Sequence, residues 1–148
     1  MKLEDFINES GFAYRDLRGL DRWVMQGYGG TGEPTFASLF PVLTTVGTPT
    51  ATVRTRIVGR SVDCQVVFSS TTSIASTAGT DYLQLPLEKR DTAGAIVPVG
   101  MTGMGVMTND TTNIAVGLCH LDVATSRLYL PTQAASASVF NLYFTYEI

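Results

Sequence analysis

The chain has 148 residues, of which 45% are hydrophobic and only 16% are charged, and its formal net charge is −3. A typical soluble domain carries about 25% charged residues, so neutral polar residues must supply much of the contact with water here. The high apolar content excludes a disordered chain. No apolar run approaches the roughly 18 residues of a membrane-spanning helix, and ten basic against 13 acidic residues argue against a nucleic-acid binder.

Charge is concentrated at the N-terminal end of the chain. Residues 1–33 hold ten of the charges, whereas residues 34–53 hold none. The glycine-rich stretch 27–34 breaks any regular element between them. We therefore predict an N-terminal attachment segment at 1–26, a hinge at 27–34 and a β domain at 35–148. The acidic start lacks the basic and apolar regions of a signal peptide, so we expect no Sec-dependent export.

Apolar residues recur at helical spacing before the hinge, which predicts a short helical N-terminal segment. Gly27 is placed to follow its last turn, while Gly19 would weaken the second helix. An isolated helix of this length is marginal in water, so the segment must pack on something else. Its own β domain is one possibility, and a second chain or assembly is the favoured one. The candidate attachment residues are Phe6, Ile7, Phe12, Tyr14, Leu17, Leu20, Trp23 and Val24.

The clearest β signal is a hairpin at residues 50–69 that turns at Gly59-Arg60. Antiparallel pairing about this turn gives one face of apolar pairs and one face of polar pairs, so both faces agree with a single register. The predicted pairs are Ile57 with Val62, Thr55 with Cys64, Val53 with Val66, Arg56 with Asp63 and Arg54 with Gln65.

Further short strands follow, separated by turns. They are predicted at 81–86, at 95–107 with an interruption at Gly103 or Gly105, at 114–121 and 127–130 as a second hairpin, and at 140–148. Seven or eight short strands without alternating helices predict a mainly β protein, an antiparallel β-sandwich or jelly roll.

The sequence carries no recognisable catalytic or metal-binding motif. His120 is the only histidine. Its neighbour Cys119 would point to the opposite face of a strand, so the two cannot form a nucleophile–base pair. Cys64 and Cys119 lack the spacing of a zinc site and are interpreted as buried free thiols, with a disulfide between them as the alternative. We therefore expect no enzymatic activity, no cofactor and no metal.

Several stretches of the β region form a characteristic combination. They are the hairpin at 50–68, the strands that end in leucine-proline at 76–86 and 126–131, and the aromatic closing run at 139–146. Together they resemble the small jelly-roll domains of tailed-phage virion proteins, over residues 34–148. Thr55 departs from that pattern, because the family often has an aromatic residue there. The resemblance implies a homotrimer in the virion, assembled in the host cytoplasm, either on the capsid or at the tip of a tail fibre or spike.

The favoured function is that of a capsid decoration (cement) protein. Its expected partners are copies of itself and the major capsid protein or another virion component, with neither nucleic acid nor membrane among them. One alternative is a fibre or spike tip that recognises a host glycan or protein, for which Tyr28, Tyr82 and Tyr129 would offer stacking surfaces. Another is a cellular lectin-like module unrelated to phage.

The methionine-rich stretch and the closing strand offer more apolar area than one sandwich interior obviously needs. These stretches are candidates for a subunit interface, and burial in the core is the equal alternative. The candidate interface residues are Met101, Met104, Met107, Phe140 and Tyr143.

Overall fold

The computed structural model describes Val24–Met25 and residues 35–147, apart from residues 59, 88, 91, 94 and 101–103. Nearly all regular structure in this part of the chain is β. The strands are β1 (Val24–Met25), β2 (Thr44–Val46), β3 (Pro49–Val58), β4 (Ser61–Ser70), β5 (Ser73–Ser76), β6 (Tyr82–Gln84), β7 (Lys89–Arg90), β8 (Ile96–Val97), β9 (Gly105–Asn109), β10 (Ile114–Asp122), β11 (Arg127–Tyr129), β12 (Gln133–Ser136) and β13 (Phe140–Glu147), and α1 is Phe36–Leu39.

The strands form two unequal antiparallel layers. The large sheet has eight strands in the order β1-β3-β4-β13-β9-β10-β11-β6, and the small sheet has the order β12-β5-β2. A single cluster of buried side chains joins the inner face of the large sheet to Ile74 of β5 and to Leu39 of α1. The predicted antiparallel sandwich is therefore confirmed.

The first hairpin has the predicted register. Every pair expected from the sequence is present, from Val53 opposite Val66 to Ile57 opposite Val62. On the outer face, the Nη2 and Nε of Arg56 donate to the same carboxylate oxygen of Asp63 at 2.7 and 3.1 Å. The hydroxyl of Thr145 on β13 donates to the other oxygen of Asp63 at 2.9 Å. This polar cluster ties three strands together.

Reversing the charge at Arg56 tests how much the cross-strand pair of Arg56 and Asp63 contributes to the free energy of unfolding. We expect Arg56→Glu to lower the free energy of unfolding by about 0.2 to 1 kcal/mol, because it sets two carboxylates opposite each other. Arg54→Glu is the matched control, since Arg54 lies on the same face opposite the neutral Gln65. Urea unfolding of the two variants side by side measures the effect, and an equal loss in both would contradict it.

The closing strand β13 lies at the centre of the large sheet, between β4 and β9. Its alternation is as predicted: Phe140, Leu142, Phe144 and Tyr146 are buried, whereas Tyr143 is exposed. The hydroxyl of Tyr146 accepts the N–H of Leu87 at 3.0 Å, so this buried phenol also fixes the loop after β6.

A line of aromatic rings connects β13 to the small helix. The ring of Phe140 stacks on that of Phe68 with 5.4 Å between centroids, and Phe68 meets Phe40 at 4.6 Å. Phe40 in turn meets Phe36 of α1 at 5.0 Å. Thr35 caps this short helix, because its hydroxyl accepts the N–H of Ser38 at 3.2 Å. The helix therefore serves as a lid over one end of the core.

The helix predicted through Val24 does not extend to that residue. Val24 and Met25 instead form β1, which pairs with Thr55 and Arg54 of β3. A β-branched residue fits a strand better than a helix, and the open edge of β3 supplies backbone partners. The remainder of the predicted N-terminal helices and of the glycine hinge lies outside the described residues.

The single interrupted strand predicted at 95–107 is also wrong. Ile96–Val97 forms β8, which pairs with β7 in a separate ribbon. Pro98 follows at once, and proline lacks the N–H needed to continue a ladder. Among the described residues of this stretch, Gly100 forms one isolated bridge to Glu147 of the large sheet, and the strand that joins this sheet is β9, which begins at Gly105.

Candidate binding surface

The outer faces of β6, β10 and β11 together form a compact surface at one end of the large sheet. Cross-strand pairing places Tyr129 between His120 and Tyr82. Alternate residues of a strand share a face, so the neighbouring row contains Asp122, Arg127 and Gln84. On the other side of the aromatic row lie Leu118 and Pro131. The surface therefore changes from charged to aromatic to apolar along the strands.

The two tyrosines are held by contacts with each other and with Arg127. Their ring centroids are 5.7 Å apart with the rings inclined by 65°, an edge-to-face arrangement that aromatic pairs favour. The guanidinium carbon of Arg127 lies 4.3 Å from the ring centroid of Tyr82, which adds a cation–π contact. The orientation of the Tyr129 ring is thus fixed by its neighbours.

A groove of about 400 Å³ runs beside Tyr129. One wall is the turn after β5, and the opposite wall is the outer face of β10. The lining residues are Ala78, Gly79, Leu118, His120, Tyr129, Leu130 and Pro131.

Hydrogen bonds hold the turn that forms the first wall. The N–H of Ala78 donates to the Thr132 hydroxyl at 3.0 Å, and the N–H of Thr77 donates to the buried carboxylate of Asp81 at 2.7 Å. The carbonyl of Asp81 accepts the N–H of Leu130 at 2.9 Å. The turn is therefore fixed to the chain segment that follows β11.

The β10–β11 turn is equally constrained. The Thr125 hydroxyl and the Ala124 N–H donate to the carboxylate of Asp122 at 2.6 and 3.0 Å. The Thr125 hydrogen bond, supported by the backbone donors and by His120, lowers the pKa of Asp122 below its ordinary value. Ser126 closes the turn with φ of 56°, in the left-handed region.

The other half of the outer face contains a polar network around Tyr143. Its hydroxyl accepts from Gln65 Nε2 at 2.9 Å and from Asn141 Nδ2 at 3.2 Å. Asn141 also donates to the carboxylate of Asp110 at 3.0 Å. The Tyr143 ring is 44% exposed on top of this network.

The structure separates the predicted interface residues into buried and exposed ones. Met107 and Phe140 are fully buried in the core of the chain, so they cannot contact a second subunit. Their prediction as interface residues is wrong, because α1 and the small sheet cover the face on which they lie. Met104 and Tyr143 are exposed, and Met101 lies outside the described residues. All the predicted attachment residues except Val24 lie outside them too.

The two cysteines are free and buried, and the alternative of a disulfide between them is wrong. Cys64 pairs with Phe144 of β13, whereas Cys119 pairs with Gly105 of β9. The two sulfurs therefore sit three strand spacings apart, about 14 Å, whereas a disulfide needs Cα atoms within about 7 Å. Burial raises the pKa of the Cys64 thiol far above its usual range and that of Cys119 to about 12.

Both thiols should consequently resist modification in the folded protein. We expect no rapid reaction with 5,5′-dithiobis(2-nitrobenzoate) at pH 8, because thiolate is the reactive form and both sulfurs are covered. In denaturant without reductant, two thiols per chain should react. Fewer than two reactive thiols per chain in denaturant, with none expected if Cys64 and Cys119 formed a disulfide, or fast reaction in buffer, would contradict the structure.

Sequence reasoning found part of this surface. Tyr82 and Tyr129 were singled out, although they lie in strands rather than loops, and Tyr28 is not among the described residues. His120 is exposed and Cys119 is buried, as expected from their adjacent positions in a strand. Leu118, Pro131 and the Ala78-Gly79 turn were missed, because nothing in their local sequence distinguishes them.

The described part of the chain contains no cluster of histidine, cysteine or acidic side chains that could hold a metal ion. None of its helices is long and apolar enough to cross a bilayer. The fold and surface define an antiparallel β-sandwich with an aromatic groove at one sheet edge. Comparison with protein-family models, with curated proteins and with solved structures gives no match.

Proposed function

We propose that the chain is a structural protein of a tailed-phage virion, a homotrimeric capsid decoration protein attached through residues 1–26. The supporting observation is an uncharged, partly apolar area on the outer face of β9, β10 and β13. Met104 is 68% exposed there and Tyr143 is 44% exposed. Val106 lies between these two residues and pairs with Tyr143 across the strands. Exposed apolar area of this kind favours contact with another protein surface.

The distribution of charge supports self-association on the same surface. The outward positions of β9 and of β10 before Asp122 carry no aspartate, glutamate, lysine or arginine. Charged residues of the outer face, such as Arg56 and Asp63, are paired with each other on β3 and β4. Copies that approach through β9 and β13 would therefore meet little like-charge repulsion.

The oligomeric state tests the first half of the proposal. Sedimentation equilibrium should give three times the 15.9 kDa mass of one chain. Met104→Glu should shift the equilibrium towards monomer, because a carboxylate would be buried at the contact. Val46→Glu is the matched control, since Val46 is also an exposed hydrophobic residue, at 55%, but lies on the small sheet. A monomeric parent protein, or equal weakening by both variants, would refute this half.

Attachment is tested with the full-length chain. Deleting residues 1–26 would also remove β1, so substitutions within the segment are preferable. Phe6→Asp with Ile7→Asp should abolish stoichiometric binding to emptied phage capsids, whereas Glu4→Gln with Asp5→Asn, on the polar side of the same predicted helix, should preserve it. Retained binding by the first double variant would refute the role assigned to the segment.

A second candidate function is a receptor-binding module at a fibre or spike tip. The half-buried pair Tyr82 and Tyr129 favours it, because aromatic rings can stack on sugars. Saturable adsorption of the purified protein to host cells, without capsid binding, would support this function over decoration.

A further inference from the structure

We propose that the groove beside Tyr129 binds one pyranose ring of a neutral carbohydrate, with the sugar stacked on the Tyr129 ring and a hydroxyl bonded to His120. The proposal rests on the groove alone and holds whether the chain belongs to a capsid, a fibre or neither. It assigns a ligand class to a surface that needs no second subunit.

The stacking platform is already in place. The edge-to-face contact with Tyr82, at 5.7 Å, restricts the Tyr129 ring, and Arg127 covers Tyr82 from 4.3 Å. An aromatic ring held in this way does not lose side-chain freedom when a ligand arrives, which removes one cost of binding. The π face carries partial negative charge, so it attracts the slightly positive C–H face of a sugar ring.

Among the described residues that line the groove, His120 and Tyr129 are the ones with polar side chains. A neutral imidazole offers one donor and one acceptor, and a phenol offers both in one atom. Neighbouring hydroxyls of a sugar can satisfy the two groups together. Covering His120 and Tyr129 with a purely apolar ligand would remove water from both and replace none of its hydrogen bonds.

Charge also selects for a neutral ligand. No acidic or permanently basic side chain lines the groove. The nearest charged row contains Asp122 and Arg127, which are paired across the β10–β11 ladder and have opposite charge. A charged sugar would therefore gain little net attraction here.

The size of the groove limits the ligand to a small ring. Its volume of about 400 Å³ is near the lower end of the range of about 300 to 1,000 Å³ found for small-molecule sites. Small residues form one wall, and a Cβ added to Gly79 would meet nothing within 4 Å. The groove is therefore open above the Ala78-Gly79 turn, where further units of a chain could continue into solvent.

Saturation-transfer NMR with the full-length protein tests the proposal. The probes are the methyl glycosides of glucose, galactose, mannose and N-acetylglucosamine, with hexaproline as a peptide probe. We expect saturable transfer to at least one glycoside. Tyr129→Ala should weaken its binding about tenfold or more, whereas Tyr129→Phe, which keeps the ring, should stay within about threefold.

A groove-filling variant provides the decisive comparison. Leu118 is 63% exposed, so Leu118→Trp should fold normally and block the groove. Val46→Trp is its matched control, with the same added ring on the exposed face of the small sheet. Glycoside binding should be lost in the first and unchanged in the second. His120→Ala should weaken binding several-fold, with partial recovery in His120→Gln.

Several outcomes would overturn the proposal. They are the absence of saturable transfer to every glycoside, unchanged binding in Leu118→Trp, equal loss in Val46→Trp, or saturation by hexaproline alone. If Tyr129→Ala does not fold, glycoside binding by the Leu118→Trp variant still tests whether the groove is the binding site. Failure of capsid binding with intact glycoside binding would refute the decoration function and leave this site standing.

Discussion

Phe140→Ala is expected to lower the free energy of unfolding by about 3 to 5 kcal/mol. Phe140 is fully buried on the central strand β13 and stacks on Phe68 at 5.4 Å. Truncation removes the first ring of the aromatic line that continues through Phe68 to Phe40. Hydrogen bonding to β4 and β9 on both sides fixes the backbone of β13, so the sheet cannot close around the cavity.

Urea unfolding followed by circular dichroism measures this loss. Val139→Ala is the control, because Val139 precedes Phe140 and is 39% exposed, so its truncation should cost well under 1 kcal/mol. If Phe140 belonged to a subunit contact instead, its effect would vary with protein concentration. A loss below about 1 kcal/mol, or one that disappears on dilution, would contradict the assignment to the core.

Gly105→Val is expected to cost about 1 to 3 kcal/mol, and Gly105→Ala less. A Cβ at this position would lie 3.1 Å from the Cβ atoms of Cys119 and Phe144, and 3.2 Å from Leu128 Cδ2. The two Cβ atoms cannot rotate away because they are bonded directly to the backbone of the flanking strands. Any side chain at this position must therefore push β9 away from the flanking strands β10 and β13 and from Leu128.

Val106→Leu is the matched control for this substitution. Val106 follows Gly105 on β9 but lies on the outer face, where it pairs with the exposed Leu118 and Tyr143. Added volume there projects outwards from the sheet, so the stability of the single chain, measured at a dilution at which copies are separate, should change by less than about 0.5 kcal/mol. The thermal midpoints of the series should fall from Val106→Leu to Gly105→Ala to Gly105→Val. Any other order would show that crowding at Gly105 is not the cause.

The elements that could be predicted are those in which several local signals agree. In the first hairpin, the turn at Gly59-Arg60, the apolar alternation and the opposite charges of Arg56 and Asp63 all require one register. The closing strand is similarly determined by strict alternation from Phe140. Such consistency leaves few alternative pairings, so the local sequence suffices.

The small sheet could not be predicted in the same way. Strands β2, β5 and β12 are short and rich in threonine, serine and alanine, so they show little difference between their two faces. These strands become evident only in the structure, where they cover the core. The wrong prediction that Met107 and Phe140 lie at a subunit interface has the same origin. Their burial depends on a covering layer that could not be predicted from the local sequence.

The groove could not be predicted because its parts are distant in sequence. Its walls come from the turn at 77–80 and from residues 118–131, which meet because β6 pairs with β11. The sequence suggested each strand but not this neighbour relation. The sequence shows the tyrosines and the lone histidine, whereas their assembly around one ring-sized groove depends on the order of strands in the sheet.

The two short edge strands of the large sheet affect how easily a second chain could extend the sheet by backbone hydrogen bonding. One edge ends in the three residues of β6, and the described part of the other ends in the two residues of β1. A long, flat edge would invite another chain to extend the ladder, but the three residues of β6 offer only a few backbone groups. Beyond β1, Pro49 of β3 cannot donate a hydrogen bond. In the homotrimer proposed above, contacts near the β6 edge would then fall to side chains, which can be tuned residue by residue, instead of to a continuous intermolecular sheet.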